Sequence, residues 1–275
     1  LPAKDEENLD ARTFMLRSGK AGEMAPASRR KARMTHLSEI IIAPEARHVA
    51  PLRLALSEAL AAPIDRAQGF YMIEGMSGAR YRHFINGLLR RLGRTGYLEV
   101  GSWMGSTLCS AIHGNAVQAV AIDNWSQFGG PREAFMNNVT QFRTEAAAVE
   151  VIEADFRSVP FADLATRHVP FEVYLFDGPH EEQDQHDGLI AALPALAEEF
   201  VFICDDWNWW PVRAGTHRAI VQGGLQMLYG AEIRTTLDNT HSEIAFKDSD
   251  WHNGYFISVL RKPRHQMPRA VPLAA

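Results

Sequence analysis

From residue 96 onward, short apolar runs alternate with helical stretches. YLEV (97–100), AVQAVAID (116–123), VEVIEAD (149–155), FEVYLFD (171–177) and FVFICDD (200–206) have the length and β-branched content of strands, and segments of helical character separate them. Strands alternating with helices predict a parallel sheet. AEIRTTL (231–237) and GYFISVLR (254–261) are late strands with no clear helix between them, which predicts an antiparallel hairpin at one sheet edge. The pattern is that of an α/β protein: a Rossmann-like, mostly parallel, seven-stranded sheet with helices on both faces and a terminal antiparallel hairpin. Upstream, PLRLALSEALAA (51–62) and ARYRHFINGLLRRL (79–92) repeat their apolar positions at helical spacing, predicting an N-terminal helical extension that caps the sheet.

Composition sets the boundaries. Residues 1–36 show little periodicity and carry eight basic against five acidic side chains, the pattern of a mobile or partner-bound arm. The extension occupies 37–95, the alternating domain 96–262, and a Pro/Arg-rich tail 263–275. The chain begins with Leu, so an upstream portion or a tag is expected to have been removed. A net charge of −5 gives no field of the kind that holds nucleic acid or an anionic membrane. No apolar run is long enough for a membrane span, and two cysteines, Cys109 and Cys204, are too few for a disulfide framework. These features predict a cytoplasmic protein, with the N-terminal extension as a candidate surface for a homo-oligomer.

In a doubly wound sheet, ligands bind beyond the carboxyl ends of the strands. The first such turn reads Glu99-Val100-Gly101-Ser102-Trp103-Met104-Gly105, spaced E-x-G-x-x-x-G rather than G-x-G-x-x-G. A dinucleotide needs closely approached backbone N–H groups for its pyrophosphate, whereas S-adenosylmethionine has no phosphate and carries an ammonium and a sulfonium. An acidic residue at a strand end with glycine two positions later suits such a cationic ligand. The second strand ends in Asp123, followed by Asn124, where a carboxylate can accept both hydroxyls of a ribose. The third ends in Glu153-Ala154-Asp155-Phe156, a polar group and a ring for an adenine or for the core.

After the fourth strand comes Asp177-Gly178-Pro179-His180, and after the fifth Cys204-Asp205-Asp206-Trp207-Asn208. Adjacent strands bring these turns together, and three carboxylates in one cleft call for protonation or for a cation between them. Oxygen ligands favour magnesium, manganese or calcium. A cation there would lower the pKa of an acceptor hydroxyl, and His180 is placed to serve as general base. His186 and His217 fall in helical patterns that need no such role. Trp125, Trp207, Trp209 and Trp210 are candidates for the wall of an acceptor pocket or for packing, and FGGPREAF (128–135) for a lid or a surface turn.

Taken in order, LEVGSWMGST, AIDNW, EADF, LFDGPH and CDDWNW resemble the class I S-adenosylmethionine-dependent methyltransferases over about 97–261. Within that group the D-G-x-H and the acidic pair are similar to the metal-dependent O-methyltransferases of macrolide sugars. The resemblance implies Asp177, Asp205 and Asp206 as magnesium ligands, His180 as base, and Glu99, Gly101 and Asp123 on the cofactor. Ser102, Gly105, Asn124, Asp155 and Phe156 complete the expected cofactor site, and the expected partner is a small-molecule acceptor. Asp205 stands where Glu is usual and Pro179 where a small hydrophilic residue is usual, and the shorter Asp puts the ligand geometry in question. A nicotinamide-dependent oxidoreductase, a non-catalytic adenosyl-binding protein and a metal-dependent hydrolase remain open alternatives; the first would need the absent dinucleotide spacing.

Overall fold

The computed structural model describes residues 35–263, so almost all of the expected arm and tail lies outside it. Eight strands occur among the described residues: β1 (His36–Ile41), β2 (Thr95–Val100), β3 (Val117–Asp123), β4 (Ala148–Glu153), β5 (Phe171–Phe176), β6 (Leu196–Cys204), β7 (Gln226–Arg234) and β8 (Tyr255–Arg261). They form one sheet in the order β1-β7-β8-β6-β5-β2-β3-β4. β2 through β6 pair in parallel, while β8 lies antiparallel between β6 and β7. This is the mostly parallel sheet with an antiparallel hairpin that the apolar runs predict.

The strand count is eight rather than seven, because His36–Ile41 adds antiparallel to β7 at the sheet edge. Its residues fall at the join between the expected arm and the expected helical extension. All six are exposed, so no burial alternation marks the segment as a strand. Only the offer of an unpaired β7 edge decides its conformation. The penultimate strand also starts earlier than its apolar run suggests, at Gln226 rather than 231.

Seven α-helices cover the two faces among the described residues. α1 (Val49–Ala61), α2 (Ala79–Leu92), α3 (Ser106–Ile112) and α4 (Arg132–Phe142) pack on one face; α5 (Phe161–Arg167), α6 (Glu182–Ala192) and α7 (Trp210–Gln222) pack on the other. In α2, Tyr81, Phe84, Ile85, Leu88 and Leu89 are buried, the spacing of one helical stripe. Arg82 is buried with them and donates to the carbonyls of Phe70, Tyr71 and Ile73 at 3.0, 3.1 and 2.8 Å. This cation binds no carboxylate; it ties the irregular segment before α2 to the domain, and that segment carries Met76 to the site described next.

The order of strands reverses between β2 and β5, since the chain runs from β2 outward to β4 and then returns to the other side of β2. A crevice opens at such a point because the following loops depart in opposite directions.

Candidate functional site

The registers align the carboxyl ends of the central strands. Val100 faces Phe176 across β2 and β5, and Phe176 faces Cys204 across β5 and β6. The ladder continues one residue further: the N–H of Gly101 donates to Ile122 at 2.9 Å, that of Asp177 to Val100 at 2.9 Å, and that of Asp205 to Phe176 at 3.3 Å. A cavity of about 260 Å³ lies above these ends.

One wall comes from β2, β3 and β4. Gly101, Asp123, Asn124, Asp155 and Phe156, all expected at the cofactor, line the cavity. Gly101 has φ +86°, and a Cβ there would lie 1.8 Å from the carbonyl oxygen of Asp177, so only glycine fits. Asp123 stitches the two loops: its Oδ2 accepts the N–H groups of Ser102 and Trp103, each at 2.8 Å, and its Oδ1 accepts that of Trp125 at 2.7 Å. Asp155 caps the short turn that follows it by accepting the N–H of Arg157, whose guanidinium lies 4.6 Å from the Phe156 ring centre.

The remaining expected cofactor residues do not reach the cavity lining. Glu99 is fully buried, and Tyr97 donates to its Oε2 at 2.5 Å. Burial pushes the Glu99 carboxyl up to about 7 despite the hydrogen bond from Tyr97. Strand alternation is the reason: the side chain of Val100 reaches the cavity while that of Glu99 points to the opposite side of the sheet, where Tyr97 lies. Ser102 is buried, and Gly105 (φ +80°) is the left-handed residue that starts α3 against the Phe135 ring. Both shape the loop from behind.

The opposite wall carries Asp177, His180, Asp205 and Asp206. Ligand atoms of Asp177, His180 and Asp206 lie within 4.8 Å of one another, and His180 Nε2 stands 2.8 Å from Asp206 Oδ2 and 3.8 Å from Asp177 Oδ1. Asp205 is not part of this group, contrary to the expected trio of carboxylates: its Oδ1 accepts the N–H of Asp206 at 2.7 Å. Asp205 continues the strand, whereas Asp206 takes a left-handed turn at φ +55°, so consecutive carboxylates leave on different sides. Burial, and then the charges of Asp177 and Asp206, push Asp205 well above the ordinary carboxyl range.

Electrostatics bind the group of three together. Burial disfavours a charged imidazole, but the Asp206 carboxylate outweighs it and, with Asp177, holds His180 up at about 10. Burial likewise opposes ionisation of Asp206, yet the His180 ring keeps that carboxyl well below its usual range. Asp177 is pushed by burial up to about 6. Protonated His180 therefore supplies the positive charge that the two carboxylates demand, and so held it has no vacant lone pair with which to act as a base. A divalent cation fits the same donors: His180 Nε2 is buried and lacks hydrogen-bond geometry although Asp206 Oδ2 is 2.8 Å away. That separation is close to the roughly 3 Å expected between neighbouring ligands on a small cation.

Of the tryptophans, Trp207 is core, stacked on Phe256 with ring centres 4.5 Å apart. Trp209 packs its edge against His180 at 5.0 Å, Trp125 packs on Phe135 at 5.1 Å, and Trp210 is exposed on α7. None of these four lines the cavity; Trp103 does, from a left-handed conformation at φ +43°. Phe128, from the segment read as lid or turn, also lines it, while Arg132 to the end of that segment is the start of α4. His252, just before β8, reaches the cavity too. Its only advance signal is the polar knot Trp251-His252-Asn253-Gly254 at the head of an apolar strand.

Residues 98–207 match the family model described as a methyltransferase domain. Among solved structures, a Streptococcus mutans chain described as a SAM-dependent methyltransferase is 12% identical, with a TM-score of 0.46 over 66% of this chain and 48% of that one. The chain thus spans about half the length of the first structures it matches. The O-methyltransferase of Bacillus cereus in complex with S-adenosylhomocysteine is 14% identical, with a TM-score of 0.43 over 77% of this chain and 91% of that one. The O-methyltransferase TomG of Streptomyces achromogenes, in complex with S-adenosylmethionine, is 13% identical, with a TM-score of 0.46 over 80% and 91%. A search of curated proteins finds no match. No helix among the described residues is long and apolar enough to cross a membrane, and both cysteines are free and buried.

Proposed function

We propose that the protein transfers the methyl group of S-adenosylmethionine to a hydroxyl of a small-molecule acceptor, with a divalent cation at Asp177 and Asp206 and with His180 beside it. The observation that carries this reading is the facing of two walls across one cavity. Asp123, Asp155 and Phe156 offer a ribose acceptor, a polar group and a ring on one side; the Asp177–His180–Asp206 group stands on the other. When bound there, a divalent cation of the magnesium or manganese type supplies positive charge that lowers the pKa of the acceptor hydroxyl and takes over the charge balance now provided by the His180 proton. His180, then neutral, accepts the hydroxyl proton at a ring nitrogen. The S–CH3 bond breaks as the O–CH3 bond forms, and S-adenosylhomocysteine leaves. Holding both reactants in line contributes roughly 7–11 kcal/mol to such a transfer, so little covalent work is asked of the protein.

The test is calorimetry with S-adenosylhomocysteine, NAD and Mn2+ in turn. S-adenosylhomocysteine and Mn2+ are expected to bind and NAD is not; Asp206→Ala is expected to abolish the Mn2+ signal and retain that of S-adenosylhomocysteine. Heat from NAD alone overturns the methyl-transfer reading. Unchanged Mn2+ binding in Asp206→Ala overturns the cation site.

A further inference from the structure

Asp206 has two carboxylate oxygens, and only Oδ2 faces His180. Its Oδ1 accepts a hydrogen bond from Asn253 Nδ2 at 2.7 Å, from a residue buried just before β8 and far along the chain from the matched 98–207 span. Resting on the cation reading above, we propose that Asn253 is a positioning residue of that site: its amide holds Asp206 Oδ1 so that Oδ2 alone is presented to the cation.

The orientation of the amide is determined from both ends. Asn253 Oδ1 accepts the N–H of Ser242 at 2.9 Å, which leaves the NH2 group facing Asp206. The remaining N–H lies 3.3 Å from His241 Nδ1. The backbone of the two segments is zipped as well: Asn208 N–H donates to the Asn253 carbonyl at 2.9 Å, and Trp207 N–H to that of Gly254 at 3.2 Å. Gly254 has φ +89°, and a Cβ there would lie 2.3 Å from the Ile233 carbonyl, so the chain can make this approach only through glycine. Asp206 itself sits at φ +55°, a conformation that a non-glycine residue keeps only when its surroundings impose it. The Asn253 contact and the two backbone bonds are that imposition. A carboxylate hydrogen-bonded through one oxygen keeps the other aimed, and such supporting partners set cation affinity without touching the cation.

The experiment uses the full chain and Mn2+ as the probe, titrated by calorimetry with S-adenosylhomocysteine present, and S-adenosylhomocysteine titrated separately. Asn253→Ala is expected to weaken Mn2+ binding by about 10- to 100-fold while the affinity for S-adenosylhomocysteine is unchanged. Asn253→Leu, with the same number and branching of side-chain heavy atoms but no amide, covers the case in which the alanine variant does not fold, and the same loss is expected. Mn2+ binding equal to that of the parent in the folded variant overturns the positioning role and leaves the cation site standing. Parallel loss of both ligands shows a general structural role and also overturns it. A parent protein that binds no Mn2+ removes the cation reading and this inference together.

Discussion

Gly101 and Asp177 meet backbone to backbone, so closely that a single methyl group on Gly101 would overlap the Asp177 carbonyl. This contact joins the cofactor turn after β2 to the acidic turn after β5. Gly101→Ala meets both the clash and the left-handed φ, and is expected to cost at least about 3 kcal/mol. Loss of S-adenosylhomocysteine binding should accompany the lowered melting temperature. An alanine variant that melts and binds like the parent would show that the two turns part without cost.

The His180–Asp206 pair makes stability depend on pH in cation-free protein. With its folded value up at about 10 against an ordinary 6.5, His180 contributes stability that is complete below 6.5 and is lost as pH rises through about 10. Asp206, held low, contributes stability that is present above its ordinary 3.8 and fades as pH falls through its folded value. In chelator, His180→Gln is expected to melt below the parent at pH 7, and the gap should close above pH 10. A gap that does not change with pH would show that the ring acts by packing alone.

Glu99 also loses stability as pH rises, but through burial rather than through a charged partner. Its folded value is raised to about 7 from 4.5, so the folded protein holds this proton more tightly and loses stability as pH rises from 4.5 through 7. Glu99→Gln keeps an oxygen to accept the Tyr97 hydroxyl and removes the charge. The variant is expected to lack that slope and to melt above the parent at pH 8, with S-adenosylhomocysteine affinity retained. A large loss of affinity would return Glu99 to the cofactor.

Asp123 accepts three backbone N–H groups from two loops, so Asp123→Ala leaves three donors without a partner. A stability loss of about 1–3 kcal/mol is expected, together with a collapse of S-adenosylhomocysteine binding of about 100-fold. Chemical denaturation and calorimetry measure the two separately. Unchanged affinity with lowered stability would confine Asp123 to loop stitching.

Much of this was legible in the residues before any coordinate. The apolar runs locate β2 through β6, and the polar residues just past them locate the cavity, because a parallel sheet can leave polar groups only at the ends of its buried strands. Asp177, His180 and Asp206 stand just past those ends, and the structure brings their ligand atoms within 4.8 Å of one another. Two expected residues, Glu99 and Asp205, lie apart from the groups they were assigned to for one reason. Glu99 and Asp205 carry the right chemistry in the right stretch, but which side a carboxylate takes at a strand end depends on pleat phase and on a single left-handed residue, and neither is visible in composition. Trp207 stands in a polar motif and yet packs as core against Phe256.

What the chain determined by itself is the order of its elements, the turns after its strands, and the residue types gathered there, since hydrophobic period and glycine placement are local properties. The tertiary structure alone decided the rest. It paired His36–Ile41 with a distant edge, set Asp205 apart from Asp206, and brought Asn253 and His252 to the site from a loop with no motif of its own. Contacts between residues far apart in sequence arise only when the sheet closes, so no local pattern encodes them.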